Sequence, residues 1–151
     1  MIKVTDLAYG RLTAPDLDRM EEFLTDFGLL KIDRTKSALY MRATDGDHHH
    51  VHVTELGAPS HIGMAWWAKS EEDLEIISKA PGASEIHEID EPGGGKRVTL
   101  PDPDGRTIEI IHGMQEVDDI EVREVEINTG SDKYNRTEIQ RLSLLPGKPS
   151  H

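Results

Sequence analysis

The amino-acid sequence predicts an α+β protein built from two consecutive modules, each a strand, a helix and three further strands. The apolar pattern changes from strand-like to helical and back twice between residues 3 and 112, and clusters of Gly, Pro and Asp separate the segments. A chain of 151 residues has the length of one domain with a tail. We therefore expect two paired βαβββ modules in one curved, mixed or antiparallel sheet over residues 1–113, followed by a tail or connector over residues 114–151.

The first module begins with a strand that runs into a helix. Leu17, Met20 and Leu24 recur at helical spacing within residues 16–27, and Gly28 is placed to end the helix. This spacing predicts that the three side chains are buried in one stripe. Strands of this module are expected at residues 3–12, 29–33, 38–42 and 49–55, the last two joined by a turn at residues 44–47.

The second module repeats this order. Ser70 is a helix N-cap with an acidic residue three positions later, and Pro81 ends a helix predicted over residues 70–80. Leu74 and Ile77 are its expected buried residues. Strands of this module are expected at residues 61–68, 84–89, 96–100 and 106–112.

The composition excludes several classes of protein. The 29 acidic residues outnumber the 17 basic ones, and the resulting net charge of −12 would repel the phosphates of a nucleic acid. The sequence contains neither the roughly 20 consecutive apolar residues of a membrane span nor a basic and apolar secretion signal at its start. Because cysteine is absent, no disulfide can form. We expect a cytoplasmic protein whose partners are small molecules or other proteins.

Two such modules in succession resemble the vicinal-oxygen-chelate superfamily, which includes glyoxalases, bleomycin-resistance proteins and extradiol dioxygenases. Three runs carry the resemblance: LAYG at residues 7–10, SHIGM at residues 60–64 and DPDGRTIE at residues 102–109. The superfamily places one metal ligand on the first strand of each module and a carboxylate ligand on the last strand of the second module. Each paired domain can hold one metal ion in this way.

The resemblance implies that the metal positions of this chain are Tyr9, His61 and Glu109. Two neutral imidazoles and one carboxylate would hold Fe(II) or Mn(II) and leave positions open for a substrate and O2. Here Tyr9 replaces the first imidazole, and a neutral phenol with an ordinary pKa near ~10 is a poor ligand. We expect the three side chains to lie close together in a vestigial site that binds no metal tightly.

The entry strand with its Leu-x-Tyr run and the tail narrow the resemblance to the amino-terminal domain of a two-domain extradiol dioxygenase. In the tail, residues 134–135, Arg141 and residues 147–151 look like the connector that leads to the catalytic domain of those enzymes. The resemblance implies a non-haem enzyme that uses Fe(II) or Mn(II) in its full-length form to cleave a catechol-type aromatic ring. This chain would then supply a domain without the catalytic metal.

Two other functions stay open at this point. A stand-alone protein similar to the bleomycin-resistance proteins would dimerise and bind a small molecule without catalysis, although the tail argues against it. A metal-dependent isomerase or lyase similar to glyoxalase would need four good ligands, which the sequence does not supply. The expected assembly is accordingly a homo-oligomer or a covalently linked second domain.

Histidine and tryptophan supply candidate pocket residues. Strand alternation would place His48, His50 and His52 on one face, where two imidazoles at i and i+2 can chelate a metal, although a solvated strand face is the simpler interpretation. His50 or His52 could line a ligand pocket instead. Trp66 and Trp67 are adjacent on a predicted strand, so one should enter the helix-packed core and the other the opposite face. These two histidines and two tryptophans are candidates for a ligand pocket, although two large tryptophan side chains that only fill the two sides of the sheet are an equally good interpretation.

Overall fold

The structure is a computed structural model that describes residues 3–122. In this part of the chain, eight strands and two helices follow one another in the predicted order. The elements are β1 (Val4–Ala14), α1 (Leu17–Asp26), β2 (Leu30–Arg34), β3 (Ala38–Arg42), β4 (His52–Leu56), β5 (Ser60–Ala68), α2 (Glu71–Ile77), β6 (His87–Glu88), β7 (Lys96–Pro101) and β8 (Thr107–His112).

Both helices begin where the capping residues predict. The Asp16 carboxylate accepts hydrogen bonds from the first-turn amides of α1, and the Ser70 hydroxyl accepts one at the start of α2. Leu17, Leu24 and Leu74 are buried as expected, whereas the other two predicted core residues, Met20 and Ile77, are half-buried. Helix α2 ends at Ile77, three residues earlier than predicted, and the chain continues in tighter turns in which the Lys79 and Ala80 amides donate to the carbonyls of Ile76 and Ile77.

Two predicted strands are shorter than expected. Strand β4 begins at His52 rather than at residue 49, since residues 43–51 form a succession of bends. Strand β6 contains only two residues of the predicted 84–89 segment and lies at the edge of the sheet, where it pairs on one side. The region ahead of β4 is therefore a loop, and this loop places several histidines away from their predicted positions.

The eight strands form one open mixed sheet in the order β2-β3-β4-β1-β5-β8-β7-β6. Each module contributes four neighbouring strands, and the modules meet where β1 and β5 pair antiparallel. The pairs β1–β4 and β5–β8 are parallel, and the remaining pairs are antiparallel. This arrangement confirms the predicted α+β fold with two βαβββ modules.

Both helices pack on the same face of this sheet. Met41 belongs to the core under α1, and Leu100 and Ile108 pack in the core under α2. One continuous row of paired residues connects these three side chains across the sheet, so they face the same side. We call this side the helix-bearing face and the opposite side, which carries Tyr9 and Ala65, the helix-free face. No helix within residues 3–122 is long and apolar enough to cross a membrane.

Candidate functional site

Tyr9 and Glu109 meet at the centre of the helix-free face. Ala65 on β5 pairs with Tyr9 on one side and with Glu109 on the other, so the three residues lie side by side and face the same way. The small Ala65 side chain leaves room for the Tyr9 hydroxyl to donate a hydrogen bond to Glu109 Oε2 at 2.5 Å. Tyr9 is 1% exposed and Glu109 is 5% exposed. The structure thus brings two of the three predicted metal positions together.

His61 does not join them, and the expectation that all three residues converge is wrong for this residue. It is exposed and lies four residues before Ala65, which corresponds to more than about 10 Å along a strand. A β-bulge also separates it from the site: Gly63 pairs with Arg11, but His61 pairs with the next residue, Leu12. Because Arg11 and Leu12 face opposite sides, the bulge turns His61 towards the helix-bearing face.

Two arginines that the sequence did not reveal as site residues hold the Glu109 carboxylate. Arg11 Nε lies 3.1 Å from Glu109 Oε1, and Arg97 Nη1 lies 3.2 Å from Glu109 Oε2. Strand alternation gives a signal that could have identified both. Arg11 follows Tyr9 by two residues on β1, and Arg97 precedes by two residues Thr99, the β7 partner of Glu109. Their side chains therefore face the same way as Glu109.

Glu55 and Glu91 complete the ionic contacts of these arginines. Arg11 Nη1 lies 2.7 Å from Glu55 Oε1, and Arg11 Nη2 lies 2.7 Å from Glu91 Oε2. Arg97 Nη1 lies 3.0 Å from Glu91 Oε1. These five residues form what we call the arginine network: Arg11, Glu55, Glu91, Arg97 and Glu109.

Burial and neighbouring charges set the protonation states of Tyr9 and Glu91. Burial raises the pKa of the Tyr9 hydroxyl above its ordinary value, and the charge of Glu109 raises it further. Burial would also raise the pKa of Glu91, but the positive charges of Arg11 and Arg97 outweigh it and hold that pKa below its ordinary value. Tyr9 is consequently a neutral hydrogen-bond donor at pH 7, and Glu91 is ionised.

This set of donors does not fit Fe(II) or Mn(II). The Glu109 carboxylate, which would have to bind the metal, is surrounded by the Tyr9 hydroxyl and two guanidinium groups. Guanidinium groups stay charged and would repel a metal ion bound to the same carboxylate. A buried phenol with a raised pKa does not become a phenolate ligand easily. Within residues 3–122, no three His, Asp or Glu side chains are grouped to hold a metal ion elsewhere.

His50, a predicted pocket residue, packs on the same site. Its ring centre lies 4.8 Å from that of Tyr9 and 5.2 Å from that of Tyr40, and the residue is 1% exposed. Burial lowers the pKa of His50 to about 3, so its imidazole is neutral at pH 7. His50 thus fills the helix-free face beside Tyr9 with an uncharged ring.

The remaining predicted pocket residues are divided between the two faces. The ring of His52 lies 2.9 Å from Thr54 Oγ1, and its pairing partners, Gly10 and Met41, place it on the helix-bearing face. His50 and His52 therefore do not share a face, because the loop before β4 is not extended. Trp66 packs in the core under α2 and Trp67 packs on the helix-free face, as predicted for adjacent strand residues.

A cavity of about 490 Å³ lies beside Trp67, where β5 and β8 end. The rings of Trp67 and His48 lie 5.5 Å apart in its wall. His112 at the end of β8 and Met114 also line it. Of the predicted pocket residues, Trp67 alone borders this cavity among the residues that the structure describes.

Loops from both modules cover the face above Tyr9. Gly93, in the loop between β6 and β7, lies so close to the loop before β4 that a Cβ there would be 2.8 Å from His49 Cγ. Ile89 and Met114 are buried with Tyr9 in one apolar cluster. Side chains of the chain itself therefore fill the helix-free face above Tyr9.

Solved structures of three enzymes have the same fold. A Mn(II)-bound glyoxalase from Novosphingobium aromaticivorans matches 82% of this chain with a TM-score of 0.73 and 24% identity. The homoprotocatechuate 2,3-dioxygenases of Brevibacterium fuscum, in complex with 3,4-dihydroxyphenylacetate, and of Arthrobacter globiformis each match 78%, with TM-scores of 0.68 and 0.67 and identities of 22% and 23%. The chain has the fold of the vicinal-oxygen-chelate superfamily.

The match extends over less than half of each of these proteins. This chain covers 44% of the glyoxalase and 39% and 38% of the two dioxygenases. The sequence matches no protein-family model and no curated protein sequence. The likeness therefore establishes the fold of the described domain, while the activity has to be argued from the site.

Proposed function

We propose that this chain is a non-catalytic amino-terminal domain of an extradiol-type ring-cleavage dioxygenase. One observation carries the proposal: the carboxylate at the family metal position, Glu109, is held by Tyr9 and two guanidinium groups in a form that does not fit a metal ion. The limited coverage of the similar dioxygenases supports a domain role. Fe(II) or Mn(II) and the catechol-type substrate would then bind in another domain of a cytoplasmic protein.

The residues of this domain would have a structural task in such an enzyme. A bound metal would supply two positions for a catecholate and one for O2, which requires open coordination sites on a firmly held ion. The side chains around Glu109 make a buried hydrogen bond and ion pairs with its carboxylate, and they do not offer open coordination sites for a metal ion. We therefore assign no step of ring cleavage to them.

An activity assay of the isolated chain tests this proposal. After anaerobic reconstitution with Fe(II) or Mn(II), the chain should yield no ring-opened product from catechol or 2,3-dihydroxybiphenyl. A polypeptide extended past the codon for His151 to the next stop codon should yield it. The proposal fails if the isolated chain forms the yellow product at a rate that depends on Glu109 or His61.

The cavity beside Trp67 favours a second candidate function, a stand-alone protein that binds a small molecule. Its volume of about 490 Å³ lies within the usual range for small-molecule sites. Titration with catechol-type aromatic compounds would then change the tryptophan fluorescence of the protein, and a Trp67→Phe variant would lose that change while Trp66→Phe kept it. A stop codon directly after His151 together with saturable binding would replace the first proposal by this one.

A further inference from the structure

We infer that Arg11 and Arg97 take the place of a divalent cation at Glu109 and fasten the two modules together across the helix-free face. The site is then closed to metal by the chain's own positive charges. This inference concerns residues of this domain alone, and it stands whether or not a catalytic domain follows.

The geometry of both arginines resembles the bridging of carboxylates by a cation. Arg97 Nη1 lies 3.0 Å from Glu91 Oε1 and 3.2 Å from Glu109 Oε2, so a single nitrogen joins two carboxylates. Arg11 directs three nitrogens to three carboxylates: Nη1 and Nη2 donate hydrogen bonds to Glu55 and Glu91, and Nε lies 3.1 Å from Glu109 Oε1 in an ion pair without a hydrogen bond. The planar guanidinium with its five donors is suited to this arrangement.

The charges explain why such a cation is needed. Glu91 and Glu109 expose 18% and 6% of their side chains, and a buried carboxylate without a positive partner is strongly disfavoured. The network combines three carboxylates with two guanidinium groups, which leaves one net negative charge. Loss of one arginine would leave two net negative charges in a poorly hydrated place, where a divalent cation could enter.

The contacts also connect the two modules. Arg11 and Glu55 belong to the first module, on β1 and β4, whereas Glu91, Arg97 and Glu109 belong to the second. Arg11 thus joins the modules through two carboxylates, and Tyr9 joins them through a third contact. In a metal-bound domain of this fold, ligands from both modules would meet on the ion; here the guanidinium of Arg11 has that position.

The experiment compares Arg97→Gln with Arg97→Lys and with a matched surface variant, Arg34→Gln. Arg34 also contacts two carboxylates, those of Asp18 and Glu21, but on the exposed side of α1. We expect Arg97→Gln to lower the Tm by roughly 5 °C or more and millimolar Mn(II) to restore part of this loss. Arg97→Lys keeps the positive charge and should not respond to Mn(II), and Arg34→Gln should change the Tm little and respond no more than the wild type.

A titration of the wild-type chain with Mn(II), followed by electron paramagnetic resonance, provides a second test. We expect no stoichiometric Mn(II) site in the wild type. A one-to-one site that is lost in Glu109→Gln would overturn the inference, even if the chain cleaves no catechol. A folded Arg97→Gln variant with the wild-type Tm, or one that ignores Mn(II), would also overturn it.

Discussion

The Glu109 carboxylate receives contacts from side chains of two strands, β1 and β7, which lie on either side of it in the sheet. Tyr9 is the only neutral donor among these contacts, while Arg11 and Arg97 supply positive charge. Hydrogen bonds to a charged acceptor are stronger than those between neutral groups. When such a bond to a buried carboxylate is lost, the carboxylate lacks one of its hydrogen-bond donors. The Tyr9 hydroxyl should therefore contribute measurably to stability.

Replacement of Tyr9 by Phe tests this contribution. The variant keeps the ring in the core but removes the donor to Glu109, and we expect it to reduce the free energy of unfolding by about 1.5–3 kcal/mol in urea titrations. Tyr40→Phe is the control, because the Tyr40 hydroxyl lies 3.5 Å from Glu91 Oε2 and makes at most a weak hydrogen bond. Equal losses in the two variants would contradict this role of Tyr9.

His50 should make the stability depend on pH in the mildly acidic range. Burial lowers its pKa in the folded chain to about 3, while the unfolded chain has an ordinary histidine pKa near ~6.5. Below pH ~6.5 the unfolded state therefore binds a proton that the folded state refuses, so stability is complete above this pH and is lost progressively as the pH falls towards about 3.

The expected loss from His50 is about 2 kcal/mol between pH 6.5 and pH 5. Urea unfolding at a series of pH values should show a slope that includes this loss, and His52, whose pKa burial lowers to about 4, adds a loss of the same sign. In His50→Gln the pH dependence of the free energy of unfolding should be weaker by the contribution of one proton. Any other effect of the substitution on this free energy should be the same at every pH. An unchanged slope in His50→Gln would show that His50 does not carry this pH dependence.

At the scale of single elements, the β-bulge in the pairing of β1 with β5 decides which side chains can share a site. Gly63 and His61 pair with consecutive residues of β1, so the side chain of His61 leaves the face on which Tyr9 lies. Gly63 fits the same region, because a Cβ there would lie 1.7 Å from the backbone oxygen of Thr107. The β-bulge and the close approach of β8 thus occur at the same place on β5.

A Tyr9→His variant should consequently gain no firm metal site. The new imidazole would lie beside Glu109, but His61 stays several residues away and the two guanidinium groups still hold the carboxylate. Isothermal titration with Fe(II) under anaerobic conditions, or with Mn(II), should show no saturable binding that the wild type lacks. Micromolar binding by Tyr9→His that is lost on changing His61 to Ala would show that the two positions do converge.

At the scale of the whole molecule, the segment after β8 returns to the first module. The Val117 amide donates to the Gly46 carbonyl at 3.0 Å, and the Gly46 amide donates to Asp119 Oδ1 at 2.7 Å. Arg42 Nη2 donates to the Asp118 carbonyl at 2.8 Å. The predicted boundary at residue 113 stays a prediction, and the proposed connector residues 134–135, Arg141 and 147–151 lie outside the described residues.

Gly46→Ala should weaken this return of the chain. A Cβ at Gly46 would lie 1.9 Å from the Val117 carbonyl oxygen, so the segment or the loop must move, which we expect to cost about 1–3 kcal/mol. Gly10→Ala is the matched control, because nothing lies within 4 Å of a Cβ there. Hydrogen exchange should show faster exchange of the Val117 amide in Gly46→Ala alone; equal protection in both variants would argue against this contact.

Much of the architecture could be predicted because it depends on local patterns. Apolar spacing and N-caps placed both helices to within a few residues, and turn residues separated the strands. Tyr9 and Glu109 could be paired through a resemblance to a known fold, since each lies on a regular central strand. His61 could not, because a bulge of one residue changes the facing of every residue beyond it and leaves no mark in the apolar pattern.

The sequence by itself determined the fold class, the order of the elements, the opposite facing of Trp66 and Trp67, and the place of Tyr9 on a central strand. The tertiary structure alone decided what surrounds Glu109. Its neighbours are up to 98 residues away along the chain: Arg11, Glu91 and Arg97. Only sheet pairing and loop packing bring the two arginines within 3.2 Å of Glu109 and of Glu91. Ion pairs of this kind depend on distances in space, which spacing along a sequence does not encode.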